Sequence, residues 1–282
     1  MEILAKQYID NQIEILKQND IDDAEYDMWL MVEHYTGIKK IDLILNPDLK
    51  LESEQIDKLN EACDKRITHI PVQHIIGKQN FCGLDFQVNE NVLIPRFDTE
   101  VLVQKALEHV KDGWKVLDLC TGSGCIAISI DRLSKCDVSV LASDISADAL
   151  SVASKNNEIN QGNVRFVKSN LFANIDESFD MIVSNPPYIP TKDIDDLAIE
   201  VKDHDPMGAL DGGADGLDFY RLITSQALEH LNDDGYIIFE IGYDQGEAVT
   251  SLLESDFEDI EVLKDLAGND RVVIAKKGTK NV

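Results

Sequence analysis

Positive charge is scarce in this chain. Lysine and arginine total 26 against 53 aspartates and glutamates, a formal net charge of −27 over 282 residues. A protein that grips a nucleic-acid duplex neutralises phosphates with Lys and Arg and releases counterions. This chain is built the other way, so a protein or small-molecule partner is expected and direct nucleic-acid binding is not. Cysteine is equally uninformative as a scaffold. The five residues at 63, 82, 120, 125 and 136 are odd in number and form no C-x-x-C pair. Neither a disulfide framework nor a metal site is expected, and reduced thiols are the simple reading. No apolar run approaches the roughly 18 residues a membrane helix requires. The opening "MEILAKQYID" is charged and amphipathic, unlike the basic-then-apolar start of a signal peptide. The expectation is a soluble, cytoplasmic protein without internal repeats or low-complexity tracts.

What is present is enough apolar residue for a core, 44% of the chain, in a length that suits one domain plus a smaller one. Residues 1–75 read as a small bundle of three or four short helices. Ile3, Ile9, Ile13 and Leu16 fall roughly on one helical face, Asp22 or Asp23 can cap a second helix that stops at Gly37, and Ser53 can cap a third. Residues 76–96 form a connector, with Phe81, Leu84, Phe86 and Val88 around Gly83 suggesting a short hairpin. From 97 to 282 strands alternate with helices. "KVLDL", "VSVLAS", "VRFV", "FDMIV" and "YIIFEI" are separated by helical stretches, and "DIEVLK" and "RVVIAKK" close the chain as a terminal hairpin. This pattern predicts a doubly wound, mostly parallel α/β sheet.

Two turns of that sheet carry chemistry. "CTGSG", Cys120 to Gly124, lies between a strand and its helix, where glycine lets backbone approach a ligand. Taken alone it also fits any tight turn. Asp144 sharpens the reading. It follows the next strand, 20 residues past Gly124, where a carboxylate accepts from both hydroxyls of a ribose. Helix capping needs no help from Asp144, because Ser146 can do it. A nucleoside cofactor follows, with Asn170 at the end of the third strand available to its base.

The fourth strand ends in "NPPY", Asn185 to Tyr188. Pro186 holds Asn185 extended, and Pro187 has no N–H, so the segment cannot fold back into a helix. A rigid stretch then offers the Asn185 amide oxygen, the Pro186 carbonyl and the Tyr188 ring. Two acceptors and an aromatic face suit a planar –NH2 group. Such a nitrogen is a weak nucleophile, and two acceptors can orient it toward an electrophile without a strong base. The electrophile that suits a nucleoside-binding sheet is the sulfonium methyl of S-adenosyl-L-methionine.

With these residues in place the chain resembles the release factor glutamine N5-methyltransferase family (the PrmC/HemK group). "VLIPRFDTE", "VLDLCTGSG", "FDMIVSNPPYI", "ALDGGADGLDFYR" and "DLAGNDRVV" carry the resemblance over essentially the whole length. It implies a seven-stranded Rossmann-like class I methyltransferase sheet behind a helical substrate-recognition domain. It implies cofactor contacts from Cys120, Thr121, Gly122, Ser123, Gly124, Asp144, Asn170, Leu171 and Asn185. Asn185, Pro186, Pro187 and Tyr188 would hold the substrate, the glutamine in the Gly-Gly-Gln loop of peptide chain release factors. Phe97, Cys120, Asn170 and Asp205 depart from residues common in the family.

Two rival readings remain at this stage. An amino-group methyltransferase acting on adenine or guanine in nucleic acid shares the clamp but needs a basic groove. A non-catalytic cofactor-binding module would show a damaged clamp, and this one is intact. The ribose assignment yields the first prediction. Asp144→Ala weakens cofactor binding before it touches the chemical step, because each charge-assisted bond is worth roughly 1.5–3 kcal/mol. Calorimetry showing unchanged cofactor affinity would reduce Asp144 to a structural residue.

Overall fold

Apolar residues three and four apart build a first unit that runs to Gly77 and also takes in Ala198–His204. The structure, a computed structural model, describes residues 3–278. A short strand β1 (Ile3–Leu4) precedes α1 (Ala5–Gln18), followed by α2 (Ala24–Thr36) and α3 (Lys40–Leu45). Strand β2 (Lys50–Leu51) pairs antiparallel with β1, and α4 (Ser53–Arg66) and α5 (Val72–Ile76) complete the unit. Five helices lie in the described residues up to Gly77, more than expected, because α3 and α5 are too short to show a clear apolar period. Ile9, Ile13 and Leu16 of α1 bury against Met28 and Met31 of α2 and Leu59 of α4, as their spacing requires. Ile3 does not share that helical face. It lies in β1, since Leu4 is extended.

The predicted stops and starts are only partly right. Gly37 ends α2 in the left-handed region at φ 75°. Asp23 stands at the N-cap of α2 but makes no side-chain cap bond. Ser53 is the first helical residue of α4, not its cap; the cap position is Glu52, whose N–H donates to Gln55 Oε1 at 2.9 Å. Arg66, buried in this unit, donates from Nε to Asp27 Oδ2 at 2.6 Å and from Nη2 to Glu200.

The second unit spans Lys78–Leu197 and the chain from Asp205 on. It opens with β3 (Lys78–Phe81) and β4 (Leu84–Gln87), so the expected connector hairpin belongs to this unit and ends before residue 88. Its turn residues, Cys82 and Gly83, both have positive φ, as a two-residue hairpin turn demands. Then come α6 (Glu100–His109), β5 (Lys115–Leu119), α7 (Cys125–Leu133), β6 (Ser139–Asp144), α8 (Ala147–Ile159), β7 (Arg165–Lys168) and β8 (Phe179–Ser184). Between β8 and the next long helix lie two short helices, α9 (Ile199–His204) in the first unit and α10 (Met207–Leu210). After them follow α11 (Asp218–His230), β9 (Leu231–Glu240), α12 (Gly246–Leu253), β10 (Phe257–Lys264) and β11 (Asp270–Lys277).

Seven strands form one sheet in the order β10-β11-β9-β8-β5-β6-β7. The five from β9 to β7 are mutually parallel, and β11 inserts antiparallel between β9 and β10, so the terminal hairpin closes one end. Side chains alternate between two cores. Val116, Met181, Val183 and Ile238 face α6 and α7, while Leu117, Ile182, Ile237 and Phe239 face α11 and α12. Chain order reverses between β5 and β8, the place where open α/β sheets leave a crevice at their carboxyl edge.

Asp118 lies on the α7 side of β5, fully buried. Its Oδ2 accepts from Thr121 Oγ1 at 2.6 Å and from the Ala127 N–H at 3.3 Å, tying strand, turn and helix together. Its Oδ1 has no partner. Burial pushes this carboxyl up to about 7. The folded state therefore holds the proton more tightly than the unfolded chain, and stability is lost as pH rises from about 4 through about 7. In Asp118→Asn that loss shrinks, because an amide has no charge to bury. Melting temperatures of both proteins between pH 5 and 8 check this; parallel curves would refute it.

Candidate active site

Strand β5 ends at Leu119, and the chain turns at once through Cys120 (φ 60°) and Gly122 (φ 53°), with Gly124 (φ 81°) entering α7. The Thr121 N–H donates to the Ser143 carbonyl at 3.0 Å, which sets this turn beside the end of β6. A Cβ at Gly124 would lie 2.9 Å from Ile128 Cδ1 and 3.1 Å from Ala153 Cβ, so this glycine permits close helix packing. A Cβ at Gly122 would meet no protein atom, so space is open there.

That space is a cavity of about 250 Å³ at the carboxyl edge of the sheet. Cys120, Gly122, Asp144, Asn170, Leu171 and Asn185 line it. Thr121, Ser123 and Gly124 do not; Thr121 and Ser123 are buried and build the turn. Asp144, at the end of β6, accepts the Gly122 N–H on Oδ2 and the Ser146 N–H on Oδ1, each at 2.9 Å. Ser146 caps α8 by accepting from the Ala149 N–H, which leaves Asp144 unneeded as a cap. Each carboxylate oxygen keeps a second lone pair for a hydroxyl donor. Leu171 is held at φ 48° and its side chain forms part of the wall. The Cys120 thiol is pushed up to about 12, first by burial and then by the Asp144 and Asp118 carboxylates, so it stays neutral.

The clamp follows β8. Asn185 and Pro187 border the cavity, while the Pro186 and Tyr188 side chains lie outside its lining. Asn185 Nδ2 donates to Thr99 Oγ1 at 3.5 Å, which leaves the amide oxygen as the other end of the group. No described backbone group donates to the Pro186 carbonyl. Tyr188 packs against the α11 side of the sheet, and burial raises its phenol above the usual range, so it is neutral.

Several residues at this site had no role in the sequence reading. The Gln245 amide donates to the Tyr188 carbonyl at 2.9 Å and to the Gly216 carbonyl at 3.3 Å. The Ile189 N–H donates to the Leu210 carbonyl, and the Gly212 N–H returns to the Ile189 carbonyl. The loop from Asp205 to Asp218 thus backs the clamp. Arg96 Nη2 holds Asp205 Oδ2 at 2.8 Å, and Arg96, Thr99 and Phe219 join the cavity wall. Thr99 and Arg96 stand in "IPRFDTE", where the sequence signal was an arginine and a threonine next to a short turn. Phe97, in the same stretch, is exposed. Among the described residues no group of three or more His, Cys, Asp or Glu could hold a metal ion, and no helix is long and apolar enough to cross a membrane.

Two family descriptions match the chain, "PrmC N-terminal domain" over residues 7–77 and "Methyltransferase small domain" over 96–201. A protein of Geobacter sulfurreducens named release factor glutamine methyltransferase is 38% identical over 265 residues, covering 93% of this chain and 93% of that protein. One of the same name from Clostridium acetobutylicum is 40% identical over 272 residues, covering 94% and 95%. Among solved structures, a methyltransferase from Pyrococcus furiosus superposes with TM-score 0.53 at 22% identity, covering 70% of this chain and 91% of that one. At that identity it speaks for the fold.

The buttress makes a prediction about Gly212. A Cβ there would sit 2.7 Å from Tyr188 Cα and 2.8 Å from the Pro187 carbonyl oxygen, and backbone atoms cannot rotate aside. Gly212→Ala therefore displaces the clamp and lowers kcat on the order of tenfold to a hundredfold. An alanine variant with normal turnover would show that the loop gives no support.

Proposed function

This chain belongs to the release factor glutamine methyltransferase family, and on that premise we propose that its clamp presents the side-chain amide nitrogen (N5) of a release factor's Gly-Gly-Gln glutamine for methylation. The observation that carries this reading is the orientation of Asn185. Its –NH2 group donates to the buried Thr99 hydroxyl, and Asn185 borders the cavity, which supports its oxygen as the end that accepts from a ligand. An amide substrate needs acceptors, and the Pro186 carbonyl supplies the second.

The cofactor is S-adenosyl-L-methionine, and the residues present fit it. Asp144 offers two partly used carboxylate oxygens at the end of β6, and the open space at Gly122 lets a ligand lie against backbone. When bound, the cofactor supplies an electrophilic methyl group on a positively charged sulfur. The protein's own part is orientation. Asn185 Oδ1 and the Pro186 carbonyl take the two hydrogens of the substrate amide, and this turns its nitrogen toward the cavity. Gln245 fastens the Tyr188 and Gly216 carbonyls with one amide, so the backbone that follows these acceptors is held in place. Fixed acceptors aimed where positive charge develops lower the barrier without a strong base.

A glutamine side chain is too small to distinguish one protein from all others. The first unit, which carries none of the clamp or cavity residues, is assigned the selection of the release factor. An acidic helical surface suits a basic partner and speeds encounter by steering. Peptide chain release factors are thus the protein partners, and the cytoplasm the place of action.

Mass spectrometry of release factor incubated with this protein and S-adenosyl-L-methionine tests the reading. One added methyl on the Gly-Gly-Gln glutamine is expected, and methylation confined to nucleic-acid amino groups would overturn it. Asn185→Ala keeps most of the cofactor binding but loses about 10²–10³ in rate, the usual cost of one preorganised polar contact.

A further inference from the structure

An asparagine side chain has two nearly isosteric ends, and the clamp needs one of them. If Asn185 turned over, its –NH2 would meet the substrate's –NH2, donor against donor. Thr99 cannot decide the matter alone, because a hydroxyl both donates and accepts.

The residue that can decide it is Glu240. It is the last residue of β9, and the parallel register pairs Ser184 of β8 with Phe239, so the residues that follow, Asn185 and Glu240, emerge side by side. Both continue the face of Val183 and Ile238, toward α6 and the turn that carries Thr99. Glu240 and Thr99 are each 2% exposed. The Glu240 carboxyl is fully buried, and its Oε2 has no hydrogen-bond partner. Such burial is costly for an acid and calls for a reason. Burial pushes it up to about 7, while Thr99, then Arg271, and the Asn185 amide pull it back, as donors aimed at a carboxylate do.

We infer that Glu240, acting through Thr99, is the positioning residue that sets which end of the Asn185 amide meets the substrate. Above a pH of about 7 the carboxyl is ionised and only accepts. In this scheme Thr99 and the Asn185 amide both donate toward it. With its O–H so committed, the Thr99 hydroxyl oxygen can only accept from its other neighbour, and that neighbour must present Nδ2. The observed Asn185 Nδ2 to Thr99 Oγ1 contact has this polarity. The chain of bonds leaves Asn185 Oδ1 outward. Glu240 touches neither substrate nor cofactor in this scheme. The inference rests on the amide-substrate reading given above.

Two variants and two readouts test it. Glu240→Gln is close in shape but adds a donor, so the relay loses its polarity. Its kcat on release factor falls about tenfold, the size of one hydrogen-bond preference, with cofactor affinity and KM held within about twofold. Thr99→Val falls likewise and Thr99→Ser recovers most of the loss, a contrast that packing alone does not produce. Combining Glu240→Gln with Thr99→Val costs no more than the worse single change, since both break one chain. The second readout is independent of turnover. In wild-type protein, NMR shows the Asn185 side-chain amide protons slow to exchange and close to the Thr99 methyl; in Glu240→Gln both signs are lost. Unchanged amide signals in Glu240→Gln would overturn the relay, as would full turnover. A serine variant as slow as the valine variant would also overturn it. Wild-type protein that binds cofactor but methylates no release factor defeats the substrate reading instead, and the NMR comparison still decides the relay.

Discussion

The parallel pairing of β8 with β5 on one side and β9 on the other fixes which residues meet at the edge of the sheet. Leu119, Ser184 and Phe239 lie level across the three strands, so Cys120, Asn185 and Glu240 emerge together. The Ser184 hydroxyl donates to the Leu119 carbonyl at 2.7 Å and locks the ends of β5 and β8. Because side chains alternate with a period of two, a slip of one residue in β8 would send Asn185 to the α11 side. The cavity, the clamp and the buried acid behind it all depend on that register. Apolar alternation enforces it, since Met181 and Val183 have one core and Ile182 the other.

Two buried acids stand on the same side of this sheet, and each carries a cost the core alone would not accept. Asp118 and Glu240 are both pushed to about 7 by burial, and each keeps one oxygen without a partner. Asp118 holds the cofactor-side turn by gripping Thr121 and the start of α7. Glu240 stands behind the substrate-side turn. Backbone strain falls in the same places, with Cys120 and Leu171 held at positive φ on the cavity wall. Such buried carboxyls and left-handed residues are held only because the surrounding fold fixes them.

The parts legible in the sequence are those where one residue type restricts the backbone by itself. Gly122 and Gly124 announce the turn after β5, and Pro186 and Pro187 announce a rigid exit from β8. Strands β5, β6, β7 and β8 begin and end within one residue of their expected bounds, whereas β9 starts at Leu231, five residues before "YIIFEI". Where two residues could do the same work, the sequence left the choice open. Ser53 and Glu52 can both cap α4, and Gln55 settled it by reaching back to the Glu52 N–H. The helices α3, α5, α9 and α10 run four to six residues, too short for a period to show. Glu240 was visible as a lone acid inside "YIIFEI", but its meaning depends on Thr99, 141 positions earlier, and no local pattern links the two.

Proline explains the shape of the clamp and cannot explain its place. Two fixed φ angles make Asn185 to Tyr188 stiff, yet a stiff segment joined to β8 at one end can still swing as a unit. Its placement comes from elsewhere. Gly212 and Gly216 let a second backbone run against Pro187 and Tyr188, closer than any side chain would permit. Gln245 bonds the Tyr188 and Gly216 carbonyls with one amide group and so fastens the two backbones together. The same loop reaches the cavity through Pro206, Gly208 and Ala209 and is held there by Arg96 on Asp205. One loop therefore backs Pro187 and Tyr188 and also forms a wall of the cavity. A ligand that moves that wall must also move the segment from Asn185 to Tyr188, so the two are set relative to each other by one piece of backbone.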